Sequence, residues 1–598
     1  SHISIRYISK IYMYARVFSH VRLALRSHST AWAVMLLPMA LALPTLRDGF
    51  SMDDFLLLQA LGKPGNGAQA WYDLYNFIPK LAPESILGGT APWWSAPSLQ
   101  MHLVRPLTSA LLAFDHFLFG TWAVGYRAHS LLWFGLLLVL VRHLYLRLFE
   151  RTVGTFALVL FALSPCLVMP VIWISARHLL VAGVAVTVGL ICLIDSEDRP
   201  RRRWVAALAF AVALITSEAG LSGLAYWVAY ELCAGTSGNW SLRLRRGTQP
   251  ILMGVLYLAM YRVLGGGARG GGLYLDPISD PRGFTLLALR RIPTLLGDAI
   301  LHVDAGMGMV WPVPVILIGL GATGLVALLF AQISPSLSPR ETRALRWLVP
   351  GASLTTVGVA GGPPSSRSLT IAIVGFVPLV AILIQRGWAH FSASPGRGRH
   401  AWRMLVAFFA FAQLVYGPVV ALFFGRAFRQ AEPASAVIGQ QTALAASHAH
   451  QVVLLTGSDF TVWHHTFGRL RPERPDQGCW WVASAAKGSH QITMTSPRSF
   501  SLELTDTELR TGAFERMWRG ARYPLPVGYE VTQCGATIRV AAVRNDNPYR
   551  LDIQLNTPLN DPRLALLAWQ DGRIRRVSPS ELEKGLFVRW SPGPMRIF

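Results

Sequence analysis

Along the first 425 residues, apolar runs of membrane-span length alternate with short polar and basic stretches; beyond them the pattern breaks into short alternating segments. A first apolar run covers Thr30 to Leu46, and others follow near 127–148, 153–169, 172–194, 204–217, 219–233, 249–264, 310–332, 347–360, 368–385 and 402–425. A helix needs a sustained apolar stretch of about twenty residues to cross a bilayer, so this pattern predicts an α-helical polytopic membrane protein with about eleven transmembrane helices. Several runs, 153–169 and the two flanking Glu218 among them, are short for that task.

After residue 425 the hydrophobic runs shrink to strand length: Gln451–Leu455, Gln491–Thr495, Ser501–Leu504, Thr537–Val540, Leu551–Leu555 and Leu586–Trp590, with Gly, Pro, Asn and Asp between them. They predict a small C-terminal α/β or strand-rich domain over 434–598, outside the membrane. The chain then reads as a basic cytoplasmic N-terminus (1–28), a transmembrane domain (29–426) with its first outer loop at 47–125, and that extracytoplasmic domain.

Charge sets the sidedness. Arg147/Arg151, Arg199/Arg201/Arg202/Arg203, Arg243/Arg245/Arg246, Arg340/Arg343/Arg346 and Arg397/Arg399/Arg403 all fall on one side of the predicted spans, the side that basic loops mark as cytoplasmic. The parity requires Pro106 to Gly120 to be an amphipathic helix along the interface, opened by a proline in its first turn, instead of a span. The run Gly265 to Gly272 is too glycine-rich to hold regular structure without entropic cost and is expected to be a mobile outer loop. Arg290 to His302 beyond it reads equally well as a second interfacial helix or a plain connector.

A composition of 52% hydrophobic and 15% charged residues excludes an ordinary soluble enzyme. The net charge of +23 lies in the loops that fix topology, so it does not point to a nucleic-acid partner. Of five cysteines, Cys166, Cys192 and Cys233 sit in apolar runs, and Cys479 and Cys534 can pair if the tail lies in an oxidising compartment. The adjacent His464 and His465 read as surface residues of a polar loop, and no metal site is assigned.

Candidate chemistry gathers on the outer side. Asp53 and Asp54 follow the first span; a pair of like charges raises the proton affinity of one member, which suits a base near neutral pH. Arg105, Arg177, His178, Glu218 and Arg367 are ionisable groups at or just inside the outer ends of spans, where they are costly and therefore mark candidate sites. Arginines offer fixed donors matched to phosphate, and a carboxylate can deprotonate a hydroxyl. Structural alternatives stand beside each: solvated loop acids for the Asp pair, a headgroup anchor for Arg105, and a salt bridge to Glu218 for Arg177.

In order and sidedness these segments resemble the polyprenyl-phosphate-dependent, GT-C type glycosyltransferases, most closely the transmembrane protein O-mannosyltransferases that carry tetratricopeptide repeats. Phe50-Ser51-Met52-Asp53-Asp54 resembles that family's first-loop acidic pair. Arg105-Pro106-Leu107-Thr108 with Tyr126 to Leu132 resembles its segment leading into the second span, and Ser164-Pro165 through Trp173 to Leu180 resembles its next hairpin. Ser217-Glu218-Ala219-Gly220 is similar to a turn in which the family usually has lysine at the first position, and Arg367 stands where the family often has an arginine. No 34-residue repeat follows.

The resemblance implies an inverting transfer of a sugar from a polyprenyl-phosphate donor to an unknown protein, lipid or glycan acceptor. Asp53 would be the base, with Asp54 supporting it. Arg177, His178 and Arg367 would bind the donor phosphate, Glu218 would orient Arg177, and Arg105 would shape the acceptor side. No resident cofactor is implied, and a divalent metal is left open. The compact outer domain suits a bacterial inner membrane with that domain periplasmic. A transporter or flippase of an anionic lipid or glycan, and a non-catalytic membrane scaffold, are the alternatives.

Overall fold

The computed structural model describes residues 28–62, 71–234, 239–393, 399–447, 449–459, 461–462 and 478–593. The basic N-terminus before residue 28 and the His464/His465 pair lie outside the described residues. Two compact units share the chain: Ser1–Asp48, Arg105–Met260 and Thr285–Gly425 form the first, and Gly49–Val104, Tyr261–Phe284 and Arg426–Phe598 the second.

The first unit is built from helices α1 (His28–Ala42), α2 (Pro106–Phe119), α3 (Ala123–Leu148), α4 (Arg151–Ala162), α5 (Val168–Ile172), α6 (His178–Asp195), α7 (Arg202–Thr216), α8 (Leu221–Ala229), α9 (Trp240–Val263), α10 (Pro281–Leu301), α11 (Pro312–Ile333), α12 (Pro339–Val359), α13 (Ile373–Ala393), α14 (Arg399–Phe411) and α15 (Gly417–Arg429). Among the described residues, five helices are long and apolar enough to cross a membrane, and six if α4 and the following Pro165–Ile172 segment, bent by 54°, make one broken span. The expected eleven is therefore not met by individual helices. There are two reasons: α7 has 15 residues, which at 1.5 Å per residue cover about 22 Å of a roughly 30 Å hydrocarbon core, whereas α9 and α12, with 24 and 21 residues, are long enough but carry arginines. The nine residues of α8, behind Glu218, fall further short of spanning length.

α2 begins where Pro106 predicts, with Arg105 as N-cap, and ends at Gly120, which takes φ 54°. α6 is buried along almost its whole length. Tyrosine hydroxyls tie α13 into the bundle, Tyr145 donating to the Val374 carbonyl at 3.0 Å and Tyr226 to that of Ala372 at 3.0 Å.

The second unit carries three sheets. A small one runs β1 (Asn76–Ile78), β2 (Gln100–His102) and β3 (Gly267–Arg269); the others take β4 (Gln451–Thr456), β5 (Cys479–Val482), β6 (His490–Ser496), β7 (Ser499–Leu504), β8 (Glu530–Gln533), β9 (Ala536–Arg544), β10 (Asn547–Leu555), β11 (Leu564–Gln570), β12 (Arg573–Val577) and β13 (Leu586–Val588). Their orders are β13-β6-β7-β10-β9-β8, antiparallel throughout, and β12-β11-β4-β5, in which β4 runs parallel to both neighbours. The loop tryptophans Trp93 and Trp94 are buried in this unit's core with Trp481, and Trp93 Nε1 donates to the Ala483 carbonyl at 3.0 Å. The first outer loop is thus part of the same core as the tail, and Cys479 and Cys534 form a disulfide within it.

The glycine stretch departs from expectation. Gly267–Arg269 is an edge strand paired with β2, and backbone bonds fasten the glycines beyond it: Gly520 N–H to the Gly270 carbonyl and Gly272 N–H to that of Arg516, both 2.7 Å. Glycine permits this close approach, because a Cβ on Gly271 would stand 2.4 Å from the Met517 carbonyl oxygen.

Candidate active site

Four of the singled-out residues come together in the first unit, at helix ends. Arg105, 7% exposed, caps α2 and forms a two-pronged ion pair with Glu218: its Nε donates to Oε2 at 2.9 Å and its Nη2 to Oε1. Glu218 opens the one-turn 3-10 segment Glu218–Gly220 between α7 and α8, with Ser217 as N-cap in extended backbone. Ser217 Oγ lies 2.9 Å from His178 Nδ1 and 3.3 Å from Glu218 Oε2, so it links the imidazole at the start of α6 to the carboxylate. Arg367, on the short turn Ser366–Leu369, sets its guanidinium 4.6 Å from the centre of the Trp173 ring.

The sequence folds this way because each residue sits at a break in the helical pattern. Pro106 forces a helix start after Arg105. Ser217 and Ser164 cap the turns that follow them, Ser164 Oγ accepting from the Cys166 N–H at 3.3 Å. The starts of α2, α6 and the Glu218 turn bring positive dipole ends to the same cluster as two guanidinium groups.

Electrostatically, burial pushes the Glu218 carboxyl up, but the charge and hydrogen bonding of Arg105 outweigh that and hold it down to about 2. Glu218 is therefore an anion throughout the physiological range, and its side chain is 37% exposed. One carboxylate against two guanidiniums leaves the cluster with net positive charge, suited to an anionic ligand.

Arg177 is elsewhere. It is 0% exposed, its Nη1 is paired with Asp115 of α2, its Nε donates to Ser130 Oγ at 2.8 Å and its Nη2 to the Tyr126 carbonyl at 2.6 Å. His129 Nδ1 meets the other oxygen of Asp115 at 2.6 Å while Trp133 Nε1 donates to His129 Nε2 at 2.9 Å. The expected pairing of Glu218 with Arg177 is thus corrected: Glu218 holds Arg105, and Asp115 holds Arg177. The neighbouring Arg127 is also internal, donating to the Asp48 and Ile172 carbonyls at 2.8 and 2.6 Å.

Asp53 and Asp54 belong to the second unit, at the start of the helix Asp53–Gly62. Asp54 is 2% exposed and its Oδ2 accepts the Ser51 N–H at 3.0 Å, closing the turn in which Met52 takes φ 50°. Asp53 is less buried.

Sequence reading missed Asp115 and His129, and also Asp298, Asp304 and Ser366, which cluster beside Arg367. An acid inside the amphipathic Pro106–Phe119 run was the available signal for Asp115. Among the described residues no group of three or more His, Cys, Asp or Glu side chains is placed to hold a metal ion.

Apolar helices of spanning length around such a cluster mark an integral membrane protein. No family model and no curated protein matches the sequence. Two solved structures are similar in the course of the chain. The oligosaccharyltransferase of Archaeoglobus fulgidus, crystallised with a tethered acceptor peptide containing the NVT sequon, shares 9% identity and a TM-score of 0.39 over 74% of this chain and 63% of its own. ArnT of Cupriavidus metallidurans, bound to undecaprenyl phosphate, shares 17% identity and a TM-score of 0.33 over 72% of this chain and 84% of its own. The chain spans less than two thirds of the oligosaccharyltransferase, at 63%, and likeness at this level bears on neither activity nor substrate.

Proposed function

We propose that this protein is a GT-C type membrane glycosyltransferase that moves a sugar, hexosyl or pentosyl, from a polyprenyl-phosphate donor to a protein, lipid or glycan acceptor on the outer face. The observation that carries the reading is the cationic cluster of Arg105 and Arg367, with His178, Glu218 and Trp173, at three helix starts. In this reading Arg367 and Arg105 face the donor phosphate, with His178 beside them, and Glu218 fixes the Arg105 fork. Arg177, with its donors engaged by Asp115, Ser130 and Tyr126, acts as a positioning residue below them.

The base is assigned from the sequence resemblance: Asp53 acts, and Asp54, occupied in its own turn, supports it. Asp53 takes the proton of the acceptor hydroxyl as that oxygen bonds to the anomeric carbon from the face opposite the phosphate. The bond from the anomeric carbon to the phosphate oxygen breaks, configuration inverts, and polyprenyl phosphate leaves with its charge offset by the arginines. The disulfide in the second unit supports an oxidising outer side, as in a bacterial periplasm, with the N-terminus cytoplasmic.

The test uses the full chain in liposomes with a panel of polyprenyl-phosphate sugars, scoring release of polyprenyl phosphate. Turnover of one donor that disappears in Asp53→Asn, and falls in Arg367→Ala, is the expected result. Full turnover by both Asp53→Asn and Asp54→Asn overturns the base assignment. A donor that is bound and carried across the bilayer without cleavage replaces the transferase by a transporter.

A further inference from the structure

The turn that carries Arg367 rests on two acids with no role in the chemistry above. Ser366 Oγ lies 2.7 Å from Asp298 Oδ2 and 3.1 Å from Asp304 Oδ1. Asp298 is 0% exposed, at the end of α10; its Oδ2 also accepts the Ala305 N–H at 2.9 Å, and its Oδ1 has no hydrogen-bond partner among the described residues. Asp304 accepts the Gly306 N–H at 3.2 Å and also receives the Ser366 backbone N–H. On the far side of the turn, Thr370 Oγ1 is 2.6 Å from the Arg367 carbonyl and 3.1 Å from that of Cys166.

A hydroxyl has one hydrogen to give. Two ionised carboxylates around Ser366 would leave one oxygen facing another with nothing between them, at a place where Asp298 and Ser366 are buried. The chain closes if the pair retains one proton: Asp298 donates to Ser366 Oγ and Ser366 donates to Asp304. Burial, then the nearby Asp304 charge, raises Asp298 to about 8, and burial raises Asp304 as well. The other titratable groups facing the cluster are the buried His302, lowered by burial to about 4, and the buried Cys166. Neither carries charge at neutral pH, so neither substitutes for the proton.

We propose that Asp298 is a positioning residue of Arg367, holding the Ser366–Leu369 turn through the chain Asp298–Ser366–Asp304 so that the guanidinium stays on Trp173 where an anionic phosphate binds. This rests on the donor-phosphate reading of Arg367. Asp298 sets where the arginine stands and touches no substrate.

The experiment uses the full chain in liposomes with undecaprenyl phosphate as the probe, together with hydrogen exchange of the backbone over residues 361–370. Asp298→Ala and Ser366→Ala are expected to speed exchange of the turn and to weaken probe affinity by about tenfold, the scale of one misplaced charge-assisted hydrogen bond. Asp298→Asn, which has the same shape and no proton to lose but cannot both donate to Ser366 and accept the Ala305 N–H at one atom, is expected to restore part of both. Native affinity should fall as pH rises through about 8 while the Asp298→Asn profile stays flat over that range, and Ser366→Ala should add nothing in an Arg367→Ala background. Unchanged exchange in both Ser366→Ala and Asp298→Ala overturns the proposal whatever the ligand. Faster exchange with probe affinity indifferent to Arg367→Ala leaves the turn as drawn and overturns the donor reading instead.

Discussion

Arg177 has its donors engaged by Asp115, Ser130 and the Tyr126 carbonyl and no exposed surface, whereas Arg105 leans on a carboxylate that is 37% exposed. The sequence presents both as arginines at outer span ends, and their energetics differ in kind. Removing Asp115 strands a guanidinium whose pair is buried on both sides, which costs about 3–5 kcal/mol, while Glu218 is partly solvated and a glutamine in its place still accepts from Arg105, so its loss costs less. Asp115→Asn should therefore lower the melting temperature in detergent far more than Glu218→Gln. Glu218→Gln, by contrast, should weaken undecaprenyl phosphate binding, since the Arg105 fork loses the carboxylate that fixes it. Equal melting losses for the two variants would show that Arg177 is not structural. That Asp115 is the partner was not legible in the sequence. Sequence reading set Glu218 beside Arg177 and passed over Asp115, because which carboxylate reaches a guanidinium depends on helix rotation that no periodicity encodes.

At the level of elements, the glycine stretch shows what composition can and cannot say. Glycine content pointed to a mobile loop, but the same lack of side chains lets Gly270 to Gly272 lie against the Arg516–Gly520 backbone in the second unit. Gly271→Ala should cost about 1–3 kcal/mol by overpacking, seen as earlier proteolysis between residues 261 and 284; unaltered cleavage would mean that the contact does not form. Six strands of the tail were readable because they alternate or are bounded by turn residues. β11, Leu-Ala-Leu-Leu-Ala-Trp-Gln, was not: it lies between β4 and β12, is buried on both faces except at its last residue, and so reads as a continuous apolar run. β1, β2 and β3 have three residues each and make sense only as a sheet assembled from distant segments. The helix expected over Pro106 to Gly120 runs from Pro106 to Phe119 with Gly120 as its cap, and its start was legible because proline in the first turn is a local signal.

For the whole molecule the sequence inference that decides function is sidedness. Five arginine clusters mark the inner side, and the same parity puts Cys233 inside and the residue 434–598 tail outside. The cysteines make the test internal to the chain. Cys166 and Cys192 are buried, Cys233 is exposed at the end of the π-helical turn Tyr230–Ala234, and Cys479 and Cys534 are joined in the tail. A membrane-impermeant maleimide added to intact cells should leave Cys233 unlabelled until the membrane is opened. After reduction the same reagent should reach Cys479 and Cys534 from outside without permeabilisation. Labelling of Cys233 in sealed cells would invert the topology and with it the compartment of the Arg105, Glu218 and Arg367 cluster. An acceptor arriving from the outer face would then have no route to it, and the transferase reading would fall with the sidedness.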